Sequence, residues 1–217
     1  EYRDVKINLL DTPGYTDFIG EMISALSVAD SALVVLDAVS GYEVGTEVAW
    51  SYCDKFNLPR ILLINKMDRE NADFQKSLHS VQEKVSKRLI PVQLPWGEKL
   101  DFKGVIDLLT MKAYKGSGKD SEEIPAELKS IADDAHMQLM EAAAEGDDAL
   151  LEKYLEIGAL SAEEISRGLA SAVKKGDFVP VFISSASAEV GIAPLLNGMI
   201  DLLPSPIERP AITAKGK

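Results

Sequence analysis

Four short apolar runs constrain this chain most: VKINLL (residues 5–10), SALVVLDA (31–38), RILLIN (60–65) and FVPVFIS (178–184). Each ends at or just before a polar or acidic residue. Runs of this length suit strands covered on both faces of a sheet. Segments with helical spacing lie between them. Phe18, Met22, Ala25 or Leu26, and Ala29 share one face of a predicted helix over 17–30. A second helix is expected over 45–57 and stops at Leu58-Pro59. Phe74, Leu78, Val81, Val85 and Leu89 predict an amphipathic helix over 71–89. A closing helix over 192–203 would turn Ile192, Leu195 or Leu196, Met199 and Leu203 inward. Strand and helix in alternation predict an α/β fold with a doubly wound, mostly parallel sheet.

The rhythm changes between residues 91 and 175. Short strand-like pieces lead into helices expected over 126–145, 148–155 and 161–174. The expected organisation is a discontinuous core, 1–90 and 176–205, an acidic α+β insertion, 91–175, and a linker, 206–217. Charge supports this division. Residues 120–164 hold fourteen of the 35 acids but two of the 23 Lys and Arg, so they carry the whole net charge of −12. Such a surface repels nucleic-acid backbone and attracts a basic protein face. No 18-residue apolar stretch predicts a membrane span. The single cysteine, Cys53, has no internal disulfide partner and reads as a packing residue, which fits a reducing, cytoplasmic setting. A monomer is expected.

Three motifs carry chemistry. Asp11-Thr-Pro-Gly14 follows the first run, and ligands of open α/β sheets gather beyond the carboxyl ends of strands. Asp11 is therefore a ligand or metal contact, or it caps the following helix. Asn65-Lys66-Met67-Asp68 follows the third run. Guanine presents adjacent N1–H and N2–H donors, which one carboxylate, Asp68, accepts together. Adenine offers no such pair, and a rejected base leaves Asp68 unpaired. The Lys66 stem suits the base plane, and Asn65 can tie loops together. The alternative for Asp68 is a helix N-cap. Ser185-Ala186 follows the last run, where backbone N–H groups could meet the guanine carbonyl. All three motifs fall at one edge of the predicted sheet.

With DTPGYTDF, LPRILLINKMDR, GVIDLLTMKA, EKYLE and LLPSP, the sequence resembles the G domain of translational GTPases of the elongation factor G type, across residues 3–212. The resemblance includes the insertion. It implies a P-loop GTPase fold, GTP/GDP and Mg²⁺ as ligands, and hydrolysis of GTP on the ribosome. It also implies that Asp11 orders a water on Mg²⁺, that Gly14 meets the γ-phosphate, and that residues 15–27 form a switch. The acidic helix, here Glu141, Glu145 and Asp148, would engage a basic face of the ribosomal stalk protein. Their i, i+4, i+7 spacing shares one helical face only if Gly146 does not break the helix. A solvated face is the alternative.

Two departures stand out. The family usually has histidine after the glycine, to position the attacking water; Tyr15 stands here instead. A phenol is a weak base at neutral pH, although it can hydrogen bond. Tyr15 suggests a divergent paralogue, a binding module with little turnover, or a packing residue. No G-x-x-x-x-G-K-[ST] loop occurs, and GSGKDS (116–121) is a flexible-loop decoy. The expectation is an N-terminally truncated G domain that alone binds GTP weakly or not at all. A ribosome-protection or release-type GTPase is the further alternative. His79 and His136 lack acid or cysteine partners at ligand spacing and read as structural or surface residues. Trp50 and Trp96 read as packing residues.

Overall fold

In the computed structural model of the chain, residues 1–118 and 120–208 are described. The expected linker lies largely outside them; within them, Pro206–Glu208 form a short 3-10 turn. In chain order the elements are α1 (Ile19–Val28), β1 (Ala32–Asp37), α2 (Val44–Lys55), β2 (Arg60–Asn65), α3 (Phe74–Gln82), β3 (Arg88–Pro91), β4 (Gln93–Trp96), β5 (Gly104–Asp107), β6 (Lys112–Lys115), β7 (Ser121–Glu122), α4 (Ala126–Glu145), α5 (Asp148–Ile157), α6 (Ala162–Lys175), β8 (Phe178–Ile183) and α7 (Ile192–Leu202).

Strands β1, β2, β8 and β3 make a parallel four-stranded sheet in that order. β2 and β8 are central, and their apolar runs are covered on both faces. The pleat divides β2 cleanly. Ile61 and Leu63 face a core with α4, α6 and α7; Leu62 and Ile64 face one with Trp50 of α2 and Phe74, Leu78 and Val81 of α3. The sheet is thus doubly wound, as its apolar runs predict. β1 is an edge strand, so Val35 between its buried neighbours Val34 and Leu36 is exposed. Strands β4 to β7 form a second, antiparallel sheet. Its Ile106 and Ala113 enter the same core as α4 and α6. Cys53 is buried with Ala32 and Leu58, and Trp50 is buried under the Arg60 guanidinium.

Several expectations need correction. Residues 5–10 form no strand. An extended segment becomes a strand by exchanging hydrogen bonds with a neighbour, and among the described residues nothing pairs with 6–10. Instead Tyr2 and Val5 bond reciprocally across Arg3 and Asp4, both with positive φ, as in a tight turn. Leu9 and Leu10 are consequently exposed. The helix over 17–30 shortens to a 3-10 turn and α1, and buries no residue fully; Phe18 is about half exposed. The helix over 71–89 ends at Gln82, because Leu89 and Ile90 pair with Val179 and Pro180 of β8. Tertiary pairing overrides the helical spacing there. Gly146 caps α4, and Asp147 then caps α5 by accepting from the Leu150 N–H. Glu141 and Glu145 therefore lie on one helix and Asp148 on the next. Finally, GSGKDS is not a free loop: the carbonyls of Gly116 and Ser117 accept from the N–H groups of Gly191 and Ala193.

Candidate functional site

The parallel sheet places β1, β2 and β8 side by side, with their carboxyl ends on one rim. Asp37 and Asn65 are register partners there. Beyond Ile64 the ladder continues: the Ser184 N–H donates to the Ile64 carbonyl, and the Met67 N–H to the Ser184 carbonyl. Lys66 sits between them at φ 62°, a left-handed conformation that costs a side-chain-bearing residue energy and recurs at functional sites. This kink turns the chain so that Asn65 and Asp68 both meet the loop after β8.

Asn65 Oδ1 accepts from the Ser184 hydroxyl at 3.0 Å and from the Ala186 N–H at 2.9 Å. Asp68 Oδ1 accepts from the Ser185 hydroxyl at 2.6 Å, and its Oδ2 more weakly from Ser187 at 3.4 Å. Ser184 and Ser185 are fully buried, whereas Ala186 and Ser187 are exposed. Lys66 Nζ donates to Asp37 Oδ2 at 2.7 Å, and the Val39 N–H donates to Asp37 Oδ1. Burial pushes the Asp37 carboxyl up, but the Lys66 ammonium and the Val39 and Ser40 N–H groups hold it below its usual value.

Asn65, Lys66, Asp68, Ser185 and Ala186 thus come together from two distant segments. The expected use of Ser185 changes, however. Its N–H is taken by the Val190 carbonyl, so its contribution is the hydroxyl on Asp68. The Ala186 N–H is taken by Asn65 in this structure. Asp37, Ser184 and Ser187 were given no role from sequence. Asp37 carries the same strand-end signal that singles out Asp11, and the serines adjoin the Ser-Ala pair. Chemically, the group presents a carboxylate oriented by hydroxyls at a half-exposed rim. A ligand with two adjacent N–H donors suits it.

Asp11, Gly14 and Tyr15 are not hydrogen bonded to this group. The Gly14 carbonyl lies against Gly45 at the start of α2, 3.1 Å from where a Gly45 Cβ would stand. Asp11 is exposed with no hydrogen-bond or ion-pair partner among the described residues, and Tyr15 is 79% exposed. Those residues contain no cluster of three or more His, Cys, Asp or Glu that could hold a metal. Two clefts, of about 680 and 570 Å³, lie along α7 and the second sheet, and neither is lined by Asn65, Asp68 or Ala186. The rim is instead where the hydrogen-bonded side chains that follow β2 and β8 converge.

Elsewhere, Glu145 pairs with Arg88 at 2.7 Å, while Glu141 and Asp148 are exposed. His79 does have an acid partner, Glu83, at 3.2 Å, because residues four apart meet on a helix. His136 Nδ1 lies 2.7 Å from the Leu108 carbonyl, a structural contact. No helix among the described residues is long and apolar enough to cross a membrane.

The family model of the elongation factor Tu GTP binding domain matches residues 1–205. Elongation factor G of Thermotoga petrophila is 43% identical over 216 residues, covering 97% of this chain and 31% of that protein. Elongation factor G of Thermotoga maritima gives the same identity and coverage. The Fervidobacterium nodosum protein of that name is 42% identical. The chain therefore spans under a third of the length of these relatives. A crystal structure of a Thermus thermophilus protein superposes with a TM-score of 0.83 at 36% identity, covering 91% of this chain and 30% of that one.

Proposed function

This chain belongs to the elongation factor Tu GTP-binding domain family, and on that premise we propose that it is the guanine-reading part of a translation factor of elongation factor G type. That factor hydrolyses GTP to GDP and phosphate on the ribosome and drives translocation or a related step. In this reading residues 1–90 and 176–205 form the GTPase core and 91–175 the acidic insertion. The observation that carries it is the joining of Asn65 and Asp68 to the Ser184–Ser187 loop by four hydrogen bonds. Asp68, already aimed by Ser185, takes the N1–H and N2–H of guanine. Asn65 holds the two loops at the spacing of the base, and Lys66 lies along its plane. Competition of GDP, inosine diphosphate and ADP against a fluorescent GDP analogue tests this in the full-length protein. The expected order is GDP first, inosine diphosphate weaker, ADP weakest. Equal affinity for GDP and ADP overturns it.

Asp11 and Gly14 are assigned to the phosphate end, with Asp11 meeting Mg²⁺ through water. A single carboxylate fits such an ion, which keeps several waters and is held largely by nucleotide phosphates; when bound it neutralises charge developing on those phosphates. The ribosome is the proposed partner. The exposed acids Glu141 and Asp148 remain the surface offered to the basic stalk protein, with Glu145 partly engaged by Arg88. The acidic insertion disfavours RNA contact.

Tyr15 favours a second reading, a GTP-dependent binding module with little turnover. Single-turnover hydrolysis with ribosomes, comparing native protein with Tyr15→His, decides between them. Faster hydrolysis by Tyr15→His supports the module; equal rates remove it.

A further inference from the structure

The loop that aims Asp68 is anchored at both ends, and one anchor comes from the insertion. Ser185 and Val190 exchange both backbone hydrogen bonds, at 3.1 and 2.9 Å, which closes the loop between them. At its first end, Asn65 and Asp68 hold Ser184, Ser185 and Ala186. At its second end stands Gly191, the N-cap of α7, which has no side chain to satisfy the helix's unpaired N–H groups. The tip of the β6–β7 hairpin supplies the acceptors instead. The Gly116 carbonyl takes the Gly191 N–H at 3.1 Å, and the Ser117 carbonyl takes the Ala193 N–H at 3.2 Å. Two glycines shape this junction, Gly191 against the end of β8 and Gly118 against α7. Gly191 has φ +79°, and a Cβ there would stand 2.7 Å from the Ile183 carbonyl. Gly118 has φ +77°, and a Cβ there would stand 2.5 Å from Pro194 Cδ.

We infer that the hairpin tip Gly116–Gly118 is a positioning element for base recognition: through Gly191 and the Val190–Ser185 pair it fixes the hydroxyl that orients Asp68. The insertion thereby reaches the base without touching it. This inference rests on the reading of Asp68 as the guanine acceptor.

The hairpin variant Gly118→Val pushes the tip off Pro194 and weakens the two capping bonds. Inosine diphosphate lacks the N2 amino group, so it gains less from a well-aimed Asp68. In the full-length protein, Gly118→Val is expected to lower GDP affinity about five-fold and inosine diphosphate affinity less, so that the ratio between them shrinks. Adding Pro194→Ala to Gly118→Ala removes the clashing ring and is expected to recover part of the ratio that Gly118→Ala loses, while the left-handed backbone strain at position 118 remains. If Gly118→Val yields no folded protein, Gly118→Ala is read by the same ratio. A general structural defect lowers both affinities by one factor; that result, or no change in either, overturns the inference. Asp68→Asn with xanthosine diphosphate separates the two layers. A gain of xanthine binding there, with an unchanged ratio in the hairpin variants, overturns the hairpin's role alone. Failure to gain it removes the base reading, and the inference with it.

Discussion

Asn65 shows how much one side chain carries at this rim. Its single oxygen serves a buried hydroxyl and a backbone N–H from a segment 119 and 121 residues away. Replacing it by alanine leaves the buried Ser184 hydroxyl without its acceptor and frees the exposed Ala186 N–H to water. Asn65→Ala is expected to cost about 1–3 kcal/mol, read as a lower midpoint in chemical denaturation. Asp37 makes a pH prediction. Its carboxyl is held below the usual value chiefly by Lys66 against the push of burial. A lowered folded pKa contributes stability above the unfolded value and loses it as pH falls through the folded one. Asp37→Asn is therefore expected to lose stability at pH 7, with the deficit closing as the pH drops through and below the ordinary carboxylate range. Both partners are partly solvated, so the deficit is small, about 0.2–1 kcal/mol. Unfolding curves of the two proteins at pH 7 and at pH 3 measure it.

Among the elements, α4 and α6 cross at small residues. A Cβ on Gly168 would stand 2.1 Å from the Ala143 carbonyl, and one on Gly146 would stand 2.3 Å from the Gly168 carbonyl. Backbone meets backbone there, so no side chain can move aside. Gly168→Ala is expected to destabilise by about 1–3 kcal/mol, seen as a lowered melting temperature with the same far-UV circular dichroism. Strands β1, β2 and β8 and helices α2, α4, α6 and α7 were readable because their apolar spacing agrees with their burial. Ser161 and Glu164, a reciprocal capping box, also mark the start of α6. The misread elements are those whose form depends on a distant partner. Residues 6–10 have strand composition and no ladder partner among the described residues. β3 continues a helical spacing and is drawn into the sheet by β8. α1 meets the small cluster around Cys53 through Leu26, which is partly buried, while Phe18 and Ile19 at its start stay exposed.

At the scale of the molecule, the sequence located the residues that meet at the rim because Asn-Lys-x-Asp and Ser-Ala end neighbouring parallel strands. It could not reveal that Ser185 acts through its hydroxyl, that Asp37 pairs with Lys66, or that the hairpin tip caps α7. Each is a contact between segments whose spacing in the chain encodes nothing about their meeting. Asp11, Gly14 and Tyr15 make no hydrogen bond to the Asn65–Asp68 group, and their proposed place at the phosphate end rests on the family resemblance. Everything proposed for the rim depends on Asp68 reading guanine through paired N–H donors. The direct measurement is nucleotide preference in full-length Asp68→Asn, by competition between GDP and xanthosine diphosphate. The amide places a donor where xanthine has a carbonyl, so preference is expected to move from guanine to xanthine. Retention of the native preference for GDP by that variant rules out base reading by Asp68.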